Sequence, residues 1–455
     1  MSEKLKRKIM EPVYLSILLG LAYVPGILIL KRFYFTINFA DRSGLIFLAI
    51  LFAGIYFGTL FFFAKLLKEE QDIRLFIMIA LVTAAILALR IGFLDFKSGD
   101  YLIYLSEWMN HIRSYPHFSA LSQNIGDYNL PYIYILFIIS RINLPDLYLI
   151  KIVSIIFDVL LGIYGLKIVG LRYKSKWVQV VAFVAIFMTP TIILNSSVWS
   201  QCDSIWATFV LASFYYLLKG KSLIAIVMWT IGFSFKMQAI FFAPVILLLI
   251  LLKRIKVAHL MVSIPVFFLW FIPALLAGRS FSNMIGIYIR QAGTNRGLSV
   301  NGPTFANFFE FSLTPPNEGL FELLAPVSVF LSGTILLILL CYAYAVKEKL
   351  GDGEMIHLSL LMNATVIFFL PQMHERFFYL TDVLAIIYAF YFPRKWYIPL
   401  AFISISLLTY GNYLFRDTSN VLNVDQLALL MFLIIAIVAK DFFVSTMPRV
   451  EIREQ

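Results

Sequence analysis

Phe93 to Tyr132, FLDFKSGDYLIYLSEWMNHIRSYPHFSALSQNIGDYNLPY, is a long polar interval in a chain that is otherwise mostly apolar. It carries Asp95, Asp100, Glu107 and Asp127, interleaved with Tyr101, Tyr104, Trp108, Tyr115, Tyr128 and Tyr132. Such rings beside carboxylates suit a water–membrane boundary, because Trp and Tyr present an apolar body to lipid and a polar tip to water. GDYLIYLSEWMNHI reads as a short amphipathic helix lying on that boundary, with Gly99 as a permissive entry. Asp100, Tyr104 and Trp108 recur at i, i+4 and i+8 and so share a face. Pro131 disfavours helical geometry at Leu130, so DYNLP is expected to break the helix.

What flanks this interval sets the class of protein. With 61% hydrophobic and only 14% charged residues over 455 positions, the chain departs from soluble globules, where about 25% charged is usual. Apolar runs of about 20 residues, with shorter ones where helices break, can be placed about fourteen times, from 13–30, 44–66 and 75–94 to 396–413 and 426–443. The expected fold is an all-α polytopic membrane protein with both termini on one side. Residues 1–12 are basic and precede a long apolar run without a small-residue cleavage pattern, which reads as a retained signal anchor. Taking the N-terminus as cytoplasmic places 23 of the 37 Lys and Arg residues on short inner loops, as the positive-inside rule requires. The formal charge of +11 therefore reports membrane topology, and no nucleic acid is implied. Cys202 and Cys341 stand far apart and imply no disulfide framework.

In this topology two long intervals, 95–146 and 278–325, face outward, together with the span ends SSVWSQCDS, FKMQ and PQMHERF. PYIYILFIISRI is too short to span and reads as an interfacial or re-entrant helix. IYIRQAGTNRGLSVNGPTFANFF, rich in Gly and Asn, reads as loop. Ionisable groups in or near spans cost about 2.5–3.5 kcal/mol at a helix centre, so Arg90, Lys151, Asp158, Asp203, Lys236, His374, Glu375, Arg376 and Asp382 each need a reason. Asp158 falls near mid-span and suits a structural pair. Lys236 interrupts the apolar stretch 223–252, which suits two short spans turning at SFKMQ.

A carboxylate facing cations at one membrane edge is the arrangement needed to move a sugar from a lipid phosphate to a hydroxyl. The carboxylate takes the hydroxyl proton, worth roughly 10² to 10⁴ in rate, and fixed positive charge stabilises the departing phosphate. Blander readings are a helix cap for Asp100, an Asx-turn for Asp127, interhelical glue for His374, and snorkelling for Lys236.

The GDY-x(5)-EW-x(2)-HI run around Asp100, DYNLP at Asp127 and HERFFY at His374 resemble the GT-C superfamily of polyprenyl-phosphate-sugar-dependent glycosyltransferases. The likeness is nearest to bacterial proteins similar to the GPI-anchor second mannosyltransferase and to the ER glucosyltransferases that extend lipid-linked oligosaccharides. The resemblance implies a catalytic transmembrane module over 75–395, preceded by spans in 1–74 and followed by spans and a cytoplasmic tail in 396–455. It implies Asp100 as catalytic base, and His374 and Arg376 as donor-phosphate ligands, joined by Lys236 from the FKMQ break. Asp127, Tyr128, Gln201, Asp203 and Glu375 would line the cavity and meet the acceptor. Asn129 and Leu130 stand where the family's DYPP-like element carries proline. No cofactor and no obligatory metal are expected, although Asp100 and Asp127 could together hold a divalent ion. The expected partners are a polyprenyl-phosphate hexose, with mannose or glucose foremost, a glycan or lipid-linked acceptor, and the bilayer. A bacterial plasma membrane and an undecaprenyl carrier are favoured over the ER and dolichol. The alternative is a transporter or flippase of a lipid-linked sugar, since broken helices build transporter sites. A non-catalytic scaffold is the third reading.

Overall fold

The computed structural model describes residues 42–69, 72–291, 297–309, 318–415 and 422–447. The span expected at 13–30, the signal anchor and the basic chain ends lie outside the described residues. In chain order the helices are α1 (Arg42–Leu66), α2 (Ile73–Ile91), α3 (Ser106–Ser114), α4 (Leu130–Ile139), α5 (Asp146–Arg172) and α6 (Lys176–Phe187). They continue with α7 (Pro190–Ile193), α8 (Asp203–Leu218), α9 (Ser222–Phe235), α10 (Ala243–Leu251), the interrupted run α11 (Val257–Leu276) and α12 (Phe281–Gln291). The remainder are α13 (Glu318–Ala345), α14 (Asp352–Phe369), α15 (Tyr379–Tyr391), α16 (Tyr397–Leu414) and α17 (Val424–Thr446). Among the described residues, 7 helices are long and apolar enough to cross a membrane, namely α1, α2, α5, α11, α13, α16 and α17. The segments Lys176–Phe187 and Pro190–Val198, bent by 49°, make an eighth if counted as one span. Shorter apolar helices of 10–17 residues include α4, α8, α9 and α15. The protein is thus an all-α membrane protein.

The helices fall into two compact units, Met1–Ile240 with Val257–Thr294, and Phe241–Lys256 with Asn295–Gln455. In the first unit α5 packs on α6 and α8, and α8 on α9. Small residues allow the close approach that lipid cannot drive by hydrophobicity. A Cβ on Gly162 would lie 2.8 Å from the Phe183 ring, and one on Gly232 would lie 3.1 Å from the Trp206 carbonyl. Phe63 meets Phe183 edge-on at 4.9 Å, joining α1 to α6.

Two of the buried cations, Arg90 and Lys151, organise the helices of this unit. Arg90, on α2, is fully buried and pairs with Asp158 of α5 at 2.7 Å. It also donates to Ser196, Ser197 and the Phe187 carbonyl, and lies over the Phe187 ring at 4.6 Å. Lys151, also on α5, donates to the carbonyls of Phe93 at 2.7 Å, Leu94 at 3.1 Å and Phe96 at 2.7 Å. These carbonyls follow the last turn of α2, in the chain that leads into the polar interval, and the ammonium of the neighbouring helix supplies them with a donor. At its other end α2 is capped by Asp72, whose carboxylate accepts from the Leu75 N–H at 3.0 Å and from Trp177 Nε1 at 2.9 Å. The Leu75 bond, followed by that of Trp177, holds the Asp72 carboxyl below its usual range, so this cap acts above the ordinary carboxylate range and fades as pH falls through it.

Residues expected to form one amphipathic helix do so, but through a π-helical turn, Tyr101–Leu105, that leads into α3. Pro131 does not end a helix. It sits in the first turn of α4, where a missing N–H costs nothing, and the break comes earlier, at Tyr115 and Pro116. The second long interval is also more ordered than its Gly and Asn content suggests, since Phe281–Gln291 forms α12. Its buried Met284, Ile287 and Tyr288 recur at i, i+3 and i+4, an apolar stripe that outweighs local propensity.

In the second unit α14 packs on α15 and α17, and α16 on both α15 and α17. Polar side chains link these apolar helices: Thr381 donates to Asn363 at 2.9 Å, Ser406 to Asp382 at 3.0 Å, and His357 Nε2 lies 2.8 Å from the Val438 carbonyl. Two short parallel strands, β1 (Ser299–Val300) and β2 (Met373–His374), also pair here.

Removing either member of the Arg90–Asp158 pair strands the other in an apolar interior. Arg90→Leu or Asp158→Leu is expected to destabilise the protein by about 3–5 kcal/mol, measured as loss of folded protein in detergent unfolding. The double substitution should recover much of that loss, and a double variant as unstable as the sum of the singles would refute the account.

Candidate functional site

The first unit holds a carboxylate cluster built around the turn Trp199–Asp203. Pro190 starts α7, which widens into a π-helical turn over Leu194–Val198 and stops. Trp199 N then bonds the Leu194 carbonyl at 2.8 Å, and Ser200 takes a left-handed φ of +68°. That turn is pinned from two sides. Ser98 donates to the Trp199 carbonyl at 2.7 Å, and Ser154 of α5 donates to the Gln201 carbonyl at 2.7 Å.

The pinned turn aims two donors at Asp100. Trp199 Nε1 reaches Asp100 Oδ2 at 2.9 Å, and Gln201 Nε2 reaches the same oxygen at 2.5 Å. Gln201 Oε1 in turn accepts from the Tyr128 hydroxyl at 2.9 Å. A carboxylate only accepts and the phenol here donates, so the Gln201 amide has one orientation that serves both. Tyr128 packs between the rings of Trp108, at 5.3 Å, and Tyr132, at 4.9 Å.

Asp203, the first residue of α8, lies beside this cluster and is buried. It accepts from Lys236 Nζ and Trp206 Nε1 through Oδ1 at 2.5 and 3.0 Å, and from Asn195 Nδ2 through Oδ2 at 2.8 Å. Lys236 is extended between α9 and the next helical turn, as the SFKMQ break requires, and its ammonium also lies 5.5 Å from the Tyr128 ring centre. The charge of Lys236 is therefore shared with Asp203. Asp127 is exposed, and its main-chain carbonyl accepts from the Gln291 side chain, which also donates to Asn129 at 3.0 Å.

His374, Glu375 and Arg376 belong to the second unit. Gln372 N bonds the Leu298 carbonyl at 2.8 Å, and Gly302 N bonds the Met373 carbonyl at 3.2 Å. The crossing needs SVNGP as written: Asn301 takes φ +61°, which Asn tolerates, and a Cβ on Gly302 would sit 2.5 Å from the Met373 oxygen. Glu375 is buried, accepts from Arg376 Nη1 at 3.0 Å, and lies 3.9 Å from His374 Nδ1. The His374 ring also lies 5.1 Å from that of Phe377.

The structure thus joins Asp100, Tyr128, Gln201, Asp203 and Lys236 within one unit and His374, Glu375 and Arg376 within the other, with Asp127 outside the hydrogen-bonded cluster. Trp199, Trp206, Asn195 and Gly126 complete the first cluster. Asn195 is fully buried, and an amide where the apolar run TIIL gives way to NSS is the signal available for it in the sequence. Among the described residues no group of three or more His, Cys, Asp or Glu is placed to hold a metal ion. No protein-family model matches this chain, and no curated protein shows significant similarity to it.

Gly126 fixes the aromatic side of the cluster. It has φ +55°, and a Cβ there would lie 2.2 Å from the Trp108 indole. Gly126→Ala is expected to cost about 1–3 kcal/mol and to displace the indole, seen as faster hydrogen exchange over 115–129. Gly99, where an added Cβ would meet nothing within 4 Å, should accept Ala with little change, and equal behaviour of the two variants would refute the packing argument.

Proposed function

We propose that the protein is a GT-C type inverting glycosyltransferase that moves a hexose, mannose or glucose foremost, from a polyprenyl phosphate to a glycan or lipid-linked acceptor. The observation that carries this reading is Asp100: a carboxylate at the start of a boundary helix, oriented by Trp199 and Gln201 and flanked by aromatic rings. In the proposed step the Asp100 carboxylate takes the proton of the acceptor hydroxyl. The acceptor oxygen attacks the anomeric carbon as its bond to the phosphate oxygen breaks, and the electron pair leaves with the polyprenyl phosphate. His374 and Arg376 are proposed to bind that phosphate, Arg by a two-pronged contact and His through a ring N–H. Lys236 would join them only by sharing its ammonium between Asp203 and the donor.

The same reading carries about fourteen spans, with the shorter apolar helices completing the set, both termini cytoplasmic, and the chemistry on the outer face of a bacterial plasma membrane. An undecaprenyl carrier and no obligatory metal go with it. The alternative, a flippase of lipid-linked sugars, draws support from the helix break at Lys236 and from the 49° bend after Phe187.

Transfer of radiolabelled hexose from a panel of polyprenyl-phosphate sugars, with purified full chain and EDTA, tests the reading. Asp100→Asn is expected to lose turnover by roughly 10² to 10⁴ while keeping its fold. His374→Ala and Arg376→Ala should weaken donor binding. Turnover by Asp100→Asn at the wild-type rate sinks the assignment, and wild-type protein that consumes no donor but moves lipid-linked sugar across vesicles establishes the flippase instead.

A further inference from the structure

The aromatic residues beside Asp100 form more of a surface than anchoring at a membrane boundary requires. Tyr104 is 50% exposed, and its ring centre lies 6.3 Å from that of Trp108. Trp108 is half-buried, and its indole is fixed on one side by the bare backbone of Gly126 and at its edge by Tyr128. Tyr128 in turn bonds Gln201, which holds Asp100. A continuous file of rings therefore leads from water to the carboxylate, and its inner members are rigid.

We propose that Tyr104 and Trp108 form a stacking subsite for a neutral pyranose ring of the acceptor. This rests on the transferase reading for its biological meaning, but the binding itself does not. The chemistry of the site favours a sugar over a lipid chain. One side of a pyranose carries axial C–H groups that meet the negative face of an aromatic ring, while its rim carries hydroxyls that need acceptors. Here the rings are accompanied by the exposed carboxylates of Glu107 and Asp127, which supply such acceptors and which an acyl chain would desolvate without return. Exposed Leu102 and Ile103, next to Tyr104 in the π-helical turn, give the bilayer a separate apolar contact. Along the helix, Trp108 stands about two turns after Asp100, so a short oligosaccharide stacked on Trp108 extends to the base. The fixed indole selects a ring: a polyol chain with the same hydroxyls presents no flat C–H face.

Saturation-transfer NMR with the full chain in lipid nanodiscs tests this without any donor present. The probes are neutral disaccharides of glucose, mannose and galactose, with sorbitol as the acyclic control. Wild-type protein is expected to transfer saturation to ring C–H protons of at least one disaccharide and not to sorbitol. Tyr104→Ala and Trp108→Ala should each weaken binding roughly threefold to tenfold, the range expected for one aromatic contact. Trp177→Ala, remote in sequence and 42% exposed, should bind as wild type does. Because Tyr104 is exposed, its variant keeps the test sound if Trp108→Ala fails to fold. No signal from any disaccharide in wild type, or an undiminished signal in Tyr104→Ala, overturns the proposal. Donor consumption is measured separately: its absence with glycan binding intact would overturn the transferase reading alone, and its presence without glycan binding would overturn the subsite alone.

Discussion

A guanidinium in an apolar interior must be answered, and in this protein the answer sets the geometry of the first unit. Arg90 draws together α2, α5 and the π-helical turn after α7, through Asp158, Ser196, Ser197 and the Phe187 carbonyl. Each of those acceptors fixes the depth of the element that carries it. Lys151, on the same helix as Asp158, then ties down the turn that follows α2 through the carbonyls of Phe93, Leu94 and Phe96. Buried ionic groups seldom add net stability over well-packed apolar residues, but they penalise every arrangement that leaves them unpaired. Here that penalty fixes where the polar interval leaves α2 and where the Trp199–Asp203 turn faces it.

From that frame the carboxylate cluster follows by short steps. Ser98 and Ser154 hold the turn, the turn aims Trp199 and Gln201, and these orient Asp100. Lys236 and Asp203 balance one another nearby, so the cluster contains a formal ion pair as well as the Asp100 carboxylate. The Asp100 carboxylate is thereby held in one orientation by donors that are themselves held in place.

Much of this is legible in the sequence. The long apolar runs, the break at Lys236, the short helix after Gly99 and the span end at SSVWSQCDS all follow from length, hydropathy and the cost of charge in a span. The partners do not. Spacing excludes Lys151 as the partner of Asp158, because it stands seven residues away on the same helix, about 10 Å along the axis, but nothing in spacing names Arg90, and only packing chooses it. Pro131 reads as a stop because the residue before proline avoids the helix, yet proline is equally at home in a first turn, and the extended Asn129 before it resolves the choice. Trp199 is hidden because an indole at a span end reads as an ordinary boundary anchor. Its N–H matters only once Ser200 adopts a left-handed backbone that no sequence rule demands of serine.

The Arg90–Asp158 pair also constrains how the chain is made. Ribosomes deliver α2 to the membrane before any of its partners exist, since Asp158 follows Arg90 by 68 residues and Ser197 by 107. Until those residues emerge, a lone guanidinium sits in a helix that hydropathy alone would commit to the lipid. Arg90 stands in the last turn of α2, where a long cationic side chain can reach the polar rim of the span until α5 brings its partner. The ion pair can therefore close only once α5 is in place, so the final packing of α2 waits on a helix made later in the chain.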